Sequence, residues 1–138
     1  MNEREQDQYC NECITKATAL NKEAAELLKK NDLQECLRKN YESVFLAMKA
    51  VLSLDELYPE DDPSVERMFR QRYVDNGMVS DELSDVLMKL DEAYDDLQRG
   101  GDLEISKPEC GYFTSKAGLF TEEAVDILVM KNSRFMGQ

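Results

Sequence analysis

Histidine occurs at none of the 138 positions of this chain. Its absence removes the usual general base near neutral pH and the commonest metal ligand. No Ser-His-Asp arrangement, no Cys-His nucleophile pair and no zinc site with imidazole ligands can be assembled here. Carboxylates, cysteine, lysine and tyrosine remain for an enzyme, and the balance moves towards a protein that binds rather than one that reacts. Basic residues are also in short supply: 17 Lys and Arg stand against 29 Asp and Glu, a net charge of −12. Such a chain repels a phosphate backbone, so nucleic acid would need a local basic patch. Solubility alone accounts for the excess of acid. No apolar run approaches the roughly 20 residues that span a bilayer, and the N-terminus, MNEREQDQYC, is too polar for a signal peptide. The expectation is a cytoplasmic protein, off the membrane, whose four cysteines are reduced thiols.

Glycine and proline are scarce before residue 99, and apolar residues recur at helical spacing. Residues 3–29 put Tyr9, Cys13, Ala17, Leu20, Ala24, Leu27 and Leu28 on one stripe. Asn31, followed by Gln34, suits an N-cap for a second helix over 32–54, the clearest in the chain, with Leu33, Leu37, Tyr41, Phe45 and Met48 at steady spacing. After SLDELYPEDDP, Asp62 is expected to cap a third helix with Pro63 in its first turn, and Asn76-Gly77 to stop it. Ser80 caps a fourth helix built on Leu83, Val86, Leu87, Leu90, Tyr94 and Leu97, which Gly100-Gly101 ends. Residues 100–120 look least helical, with DLEIS and GYFTS as short extended pieces, and a last helix starts at Thr121. The fold class is therefore all-α: an antiparallel helical bundle of four main helices plus a C-terminal helix, in one domain over 1–138.

Residues 26–97 resemble the HEPN family of helical bundles, the likeness lying in the segments ELLKKNDLQECLRKNYESVFLAMKAVLSL, DPSVERMFRQRYVDNG and DELSDVLMKLDEAYDD. The shared features are the Glu-Leu-Leu opening, the long second helix that begins at a tyrosine, and Phe69 with Tyr73-Val74 before Gly77. TEEAVDIL is similar to the family's last helix. The resemblance implies a helical bundle that pairs as a homodimer. It also implies RNase chemistry, often in toxins paired with a nucleotidyltransferase antitoxin, carried by an arginine with a histidine a few residues on. Here the histidine is missing, and KLDEAYDDLQRGG puts Asp91 or Glu92 nearest the arginine's place, with Arg99 further on in no matching context. The resemblance thus points to the family's fold and pairing habit and away from its reaction.

Other constellations have two readings each. Cys10 and Cys13 form a C-x-x-C, but only Cys36 and Cys110 remain to complete a zinc site. Two thiols three apart on a helix are as well explained as small core residues, with a redox pair as the other alternative. DEAYDD, residues 91–96, offers Asp91 and Asp95 one turn apart, the nearest approach to a Mg²⁺ pair, although a solvated helix face needs the same residues. Asp55, Glu56, Glu60, Asp61 and Asp62 read as surface charge. Arg67 and Arg70, three apart on the third helix, either pair with acidic neighbours such as Glu66 or bind phosphate of a nucleotide or nucleic acid. Tyr41 and Tyr94 belong to the core, whereas Tyr112 and Phe113 either dock a loop or present an aromatic contact.

The sequence therefore leads to a non-catalytic, HEPN-like binding or interaction protein without a cofactor or metal, accessory to a nucleotidyltransferase or toxin–antitoxin partner. A divergent HEPN-type ribonuclease or nucleotide-binding protein, using Arg67, Arg70 and carboxylates, is the alternative. A homodimer is expected through the two long helices, with Val44, Phe45, Met48 and Val51 near the seam. A cleft holding Arg67, Arg70 and carboxylates would favour the enzyme; an acidic or apolar groove would favour the interaction protein.

Overall fold

A computed structural model describes residues 2–100 and 104–131, and among them there is helix and no strand. Helix α1 runs Glu3–Lys29 and opens on Asn2, whose side-chain oxygen accepts from the Glu5 amide at 2.9 Å. Its buried residues are small: Cys10, Cys13, Ala17 and Ala24. That stripe lets α1 lie close against α2, Leu33–Ser53, which meets it with Ala47 and Ala50. Ser43 Oγ donates to the Ala17 carbonyl at 2.6 Å across this seam.

The turn between them corrects one expectation. Asn31 does not cap α2; it stands at φ 61° and closes α1, while Asp32 is the residue before α2. The amides of Asn31 and Asp32 donate back to the carbonyls of Leu28 and Leu27. Asparagine tolerates the left-handed conformation this ending needs.

Helix α2 is buried on most of its circumference because every other helix packs on it. Val44, Phe45, Met48 and Val51 are all consumed by this internal core. Helix α3, Asp62–Phe69, runs on into a wider π-helical turn, Arg70–Val74. Its cap is Asp61, one residue earlier than expected: Asp61 Oδ2 accepts from the Ser64 amide at 3.0 Å. Asp62 instead accepts from the Tyr41 hydroxyl at 3.1 Å. Gly77, at φ 81°, turns the chain towards α4, Asp81–Gln98, which Ser80 caps through the Leu83 amide at 3.3 Å.

The larger correction concerns the C-terminal third. Helix α5 spans Lys107–Lys131 without interruption, so GYFTS is helical and the helix starts well before Thr121. Asp102 and Leu103 of DLEIS lie outside the described residues, and Glu104–Ser106 form no strand. Ser106 and Glu109 close a capping box: the Ser106 hydroxyl accepts from the Glu109 amide at 3.2 Å, and Glu109 Oε1 accepts from the Ser106 amide at 3.4 Å. Pro108 stands in the first turn, where a missing N–H costs nothing. The glycines serve packing rather than a break. A Cβ on Gly118 would lie 3.1 Å from Asn21 Oδ1, and one on Gly111 would touch Leu28. Close approach of α5 to α1 thus builds a polar knot inside the core. Asn21 Nδ2 donates to the Thr114 carbonyl at 2.9 Å, and buried Asn40 donates to Thr114 Oγ1 at 2.9 Å.

Candidate interaction groove

Between α2, α3 and α4 lies a groove of about 500 Å³. Its floor is aromatic. Tyr41 and Tyr94 stack face to face with ring centroids 3.6 Å apart and planes within 3°, and Phe45 leans on Tyr41 at 4.4 Å. Tyr41 is buried and bonded to Asp62, and burial followed by that carboxylate holds its hydroxyl well above the ordinary tyrosine range. Five carboxylates line the groove, Asp62, Glu66, Asp91, Glu92 and Asp95, and among the described residues no Lys or Arg does.

Asp91 is the most perturbed of the five. Burial and then Glu66, by hydrogen bond and charge, push its carboxyl up from 3.8 to about 8; Arg70 opposes the shift. A carboxylate facing another in a half-dry cleft holds its proton near neutral pH. Asp95, one turn on, is ion-paired to Arg99 and stays exposed. The two aspartates share the groove but face different partners. Among the described residues no group of three or more Cys, Asp or Glu has the geometry to hold a metal ion.

Arg67 and Arg70 are split by their surroundings. Arg70 donates through Nε and Nη2 to Glu66 Oε1 at 3.2 and 3.1 Å and through Nη1 to Ser84 Oγ at 3.3 Å. Arg67 is exposed and reaches Ser64 Oγ, at 3.5 Å. Arg70 stands behind the groove wall as the counter-charge of Glu66.

Across α4 lies a second groove, of about 570 Å³, lined by Pro108, Tyr112, Phe113, Ala93, Lys89 and the carboxylates Glu92, Asp96 and Glu109. Lys89 and Lys116 stand 5.6 and 5.8 Å from the Tyr112 ring centroid, within cation–π range. Tyr112 and Phe113 are therefore helical residues of a groove wall, not of a docking loop. The C-terminal half of α4 forms an acidic ridge between two aromatic-lined grooves. It has no basic residue in its last turn, so these carboxylates sit at the negative end of the helix dipole.

Sequence reasoning missed the role of one further carboxylate. Asp55, read as surface charge, lies just beyond α2 with its side chain 17% exposed. It accepts from the Tyr73 hydroxyl at 2.5 Å and from Lys131 Nζ at 3.0 Å, and Arg72 stands 3.7 Å away. Burial raises its affinity for a proton, but the hydrogen bonds from Tyr73 and Lys131, with the charges of Lys131 and Arg72, outweigh it and lower the pKa. The network ties the end of α5 to the π-helical turn. The pairing of Tyr41 with Asp62 and the facing of Glu66 and Asp91 were likewise invisible before the helices were assembled. The cysteines are all buried: Cys10 and Cys13 are core residues of α1, with Cys10 Sγ donating to the Ala50 carbonyl at 3.5 Å.

An all-α bundle whose second helix is wrapped by the others, with an open acidic groove on its α3–α4 side, defines a helical-bundle protein. The chain belongs to the HEPN domain family, whose model matches residues 10–128, from within α1 to the last turns of α5. The match extends the likeness well beyond residues 26–97. No curated protein matches the chain. No helix among the described residues is long and apolar enough to cross a membrane.

Proposed function

We propose that this HEPN protein is a non-catalytic interaction module, and that the acidic, aromatic-floored groove is the face it offers to a basic segment of a protein partner. The observation that carries this is the lining: five carboxylates and three aromatic rings, with no arginine or lysine among the described residues that form it. Family chemistry would need cationic groups to steady a phosphodiester and a base near neutral pH to take a proton. Here Asp91 stands nearest the arginine's expected place, and histidine is absent from the whole chain. Such a groove repels RNA and attracts Lys or Arg side chains, whose stems can lie on the tyrosines while their heads meet the carboxylates. A nucleotidyltransferase or toxin–antitoxin protein with an exposed basic helix or strand is the class of partner this fits.

The binding test uses a short fluorescent peptide alternating arginine and leucine. Expected is salt-sensitive binding that weakens in Tyr94→Ala and in Glu92→Gln/Asp95→Asn, while Glu23→Gln/Glu26→Gln on distant α1 leaves it unchanged. Equal weakening by the α1 pair would mean that net charge alone attracts the peptide, and the groove would lose its role. The ribonuclease and phosphate-binding alternative is tested by incubating structured and single-stranded RNA with the parent and with Arg67→Ala/Arg70→Ala. No cleavage is expected; cleavage by the parent that disappears in the double variant would reverse the conclusion.

Two-fold pairing belongs to the same proposal, since related bundles pair and a self-complementary patch closes a dimer. With Val44, Met48 and Val51 spent inside the chain and Phe45 in the groove floor, Met88, Leu119 and Met130 are the large apolar residues exposed among the described ones and free to contribute. Light scattering across a concentration range decides it, and a mass staying at 15.9 kDa would remove the dimer.

A further inference from the structure

Two cysteines that stand far apart in the sequence meet in the core. Cys36 lies in the first turn of α2 and Cys110 in the first turn of α5, and neither exposes any surface. Cys110 Sγ donates to the Leu33 carbonyl at 3.4 Å, one turn before Cys36. Cys36 Sγ lies 3.3 Å from Thr114 Oγ1, which donates in turn to the Cys110 carbonyl at 2.7 Å. Each thiol thus bonds to the helical turn that carries the other, Cys110 to that of Cys36 and Cys36, through Thr114, to that of Cys110. Asn40 Nδ2 completes the surroundings at 3.7 Å from Cys36 Sγ. Neither groove uses these thiols, and as buried groups they need not be cysteine.

We propose that Cys36 and Cys110 are a reversible redox pair, forming an intramolecular disulfide that staples the first turn of α5 to the first turn of α2. The co-reactant is a low-molecular-weight disulfide such as oxidised glutathione. One protein thiolate attacks a reagent sulfur, forming a mixed disulfide and expelling one thiolate. The other protein thiolate then attacks the protein-side sulfur of that bond and expels the second. The protein loses two electrons and two protons, and the reagent's S–S bond becomes two thiols.

The fold sets the rate. Burial, then the neighbouring Cys36, pushes the Cys110 thiol up to about 12, so thiolate is scarce while the core is closed. Reaction proceeds when the start of α5 opens, and residues 106–109 before Cys110 are exposed enough to fray. Once formed, the bond holds that turn shut. Pro108, Tyr112 and Phe113 sit on the same stretch of α5, so the staple also fixes one wall of the second groove. Cys10 and Cys13 share one helix, and a bond between them would constrain nothing. The redox pair stands independently of the partner proposed above.

The full chain is incubated natively with oxidised glutathione, alkylated, and digested without reduction for mass spectrometry. Expected is a peptide linking Cys36 to Cys110 that disappears on reduction, with Cys10 and Cys13 recovered alkylated. Melting temperature should rise by about 5–10 °C on oxidation. That rise should vanish in Cys36→Ser and in Cys110→Ser and survive in Cys10→Ser/Cys13→Ser. Recovery of Cys36 and Cys110 as free thiols, as separate glutathione adducts or in links between chains overturns the proposal, as does a Cys10–Cys13 link in their place. If a serine variant fails to fold, the linked peptide of the parent chain still decides.

Discussion

Asp55, just beyond the end of α2, and Asp91, within α4, are both aspartates partly withdrawn from water, and the fold treats them in opposite ways. Asp55 is met by Tyr73, Lys131 and Arg72, and these partners overcome burial to keep it charged. Asp91 is met by Glu66, and burial with like charge keeps its proton on. The first region is a clamp, closing the end of α5 over the π-helical turn. The second is a cleft wall left short of positive charge. Residue type and burial are similar; the sign of the neighbours decides whether an acid stabilises the bundle or strains it.

The pH dependence follows with opposite signs. Asp55 has a lowered folded pKa, so its contribution is present above the unfolded value of 3.8 and is lost as pH falls through the folded one. Asp91 has a raised folded pKa, so its contribution is full below 3.8 and is lost as pH rises through about 8.

Breaking the clamp should have the largest effect. Asp55→Ala is expected to cost about 2 kcal/mol in urea unfolding, less than a fully buried pair because the side chain is 17% exposed. It should also remove the acid-limb loss of stability that Asp55 contributes; an unchanged midpoint would show that the clamp is slack. Asp91→Asn should act in the other direction. Above pH 8 it removes the charge facing Glu66 and should stabilise by about 1 kcal/mol. Below pH 3.8, where Asp91 carries its proton in the folded and the unfolded chain alike, parent and variant should unfold together. A variant less stable than the parent at alkaline pH would show that the charged form is held favourably. The smallest effect sharpens the contrast: exposed Glu92→Gln should change stability by less than about 0.5 kcal/mol at any pH. A larger change would mean that the whole ridge is strained, rather than Asp91 alone.

Helices α1, α2 and α4 were readable because their apolar spacing reports a local period and their starts use local chemistry, as Ser80 does for α4. Helix α5 was misread at its start. Its buried residues Cys110, Phe113, Ala117, Phe120, Ala124 and Leu128 keep helical spacing, and Ser106-Lys-Pro-Glu109 spells a capping box. Pro108 and Gly111 masked both signals, since a proline or glycine that breaks a helix and one that a helix accommodates look alike in one dimension. In the groove, the acidic run of α4 and the tyrosines were visible, but their partners were not. Tyr41 stacks on Tyr94 from another helix, Glu66 meets Asp91, and Arg70 turns to Glu66 and away from the cleft.

What the amino-acid sequence determined alone is a negatively charged, all-helical chain without an imidazole, with the periodicity of a HEPN bundle. Those properties are sums or local repeats, and every residue contributes to them where it stands. Only the tertiary structure decided which carboxylate keeps its proton, which arginine is already engaged and which two of four cysteines meet. Each of these depends on distances of a few ångströms between residues of different helices, where electrostatics and hydrogen bonding fall off too steeply for position along the chain to report them.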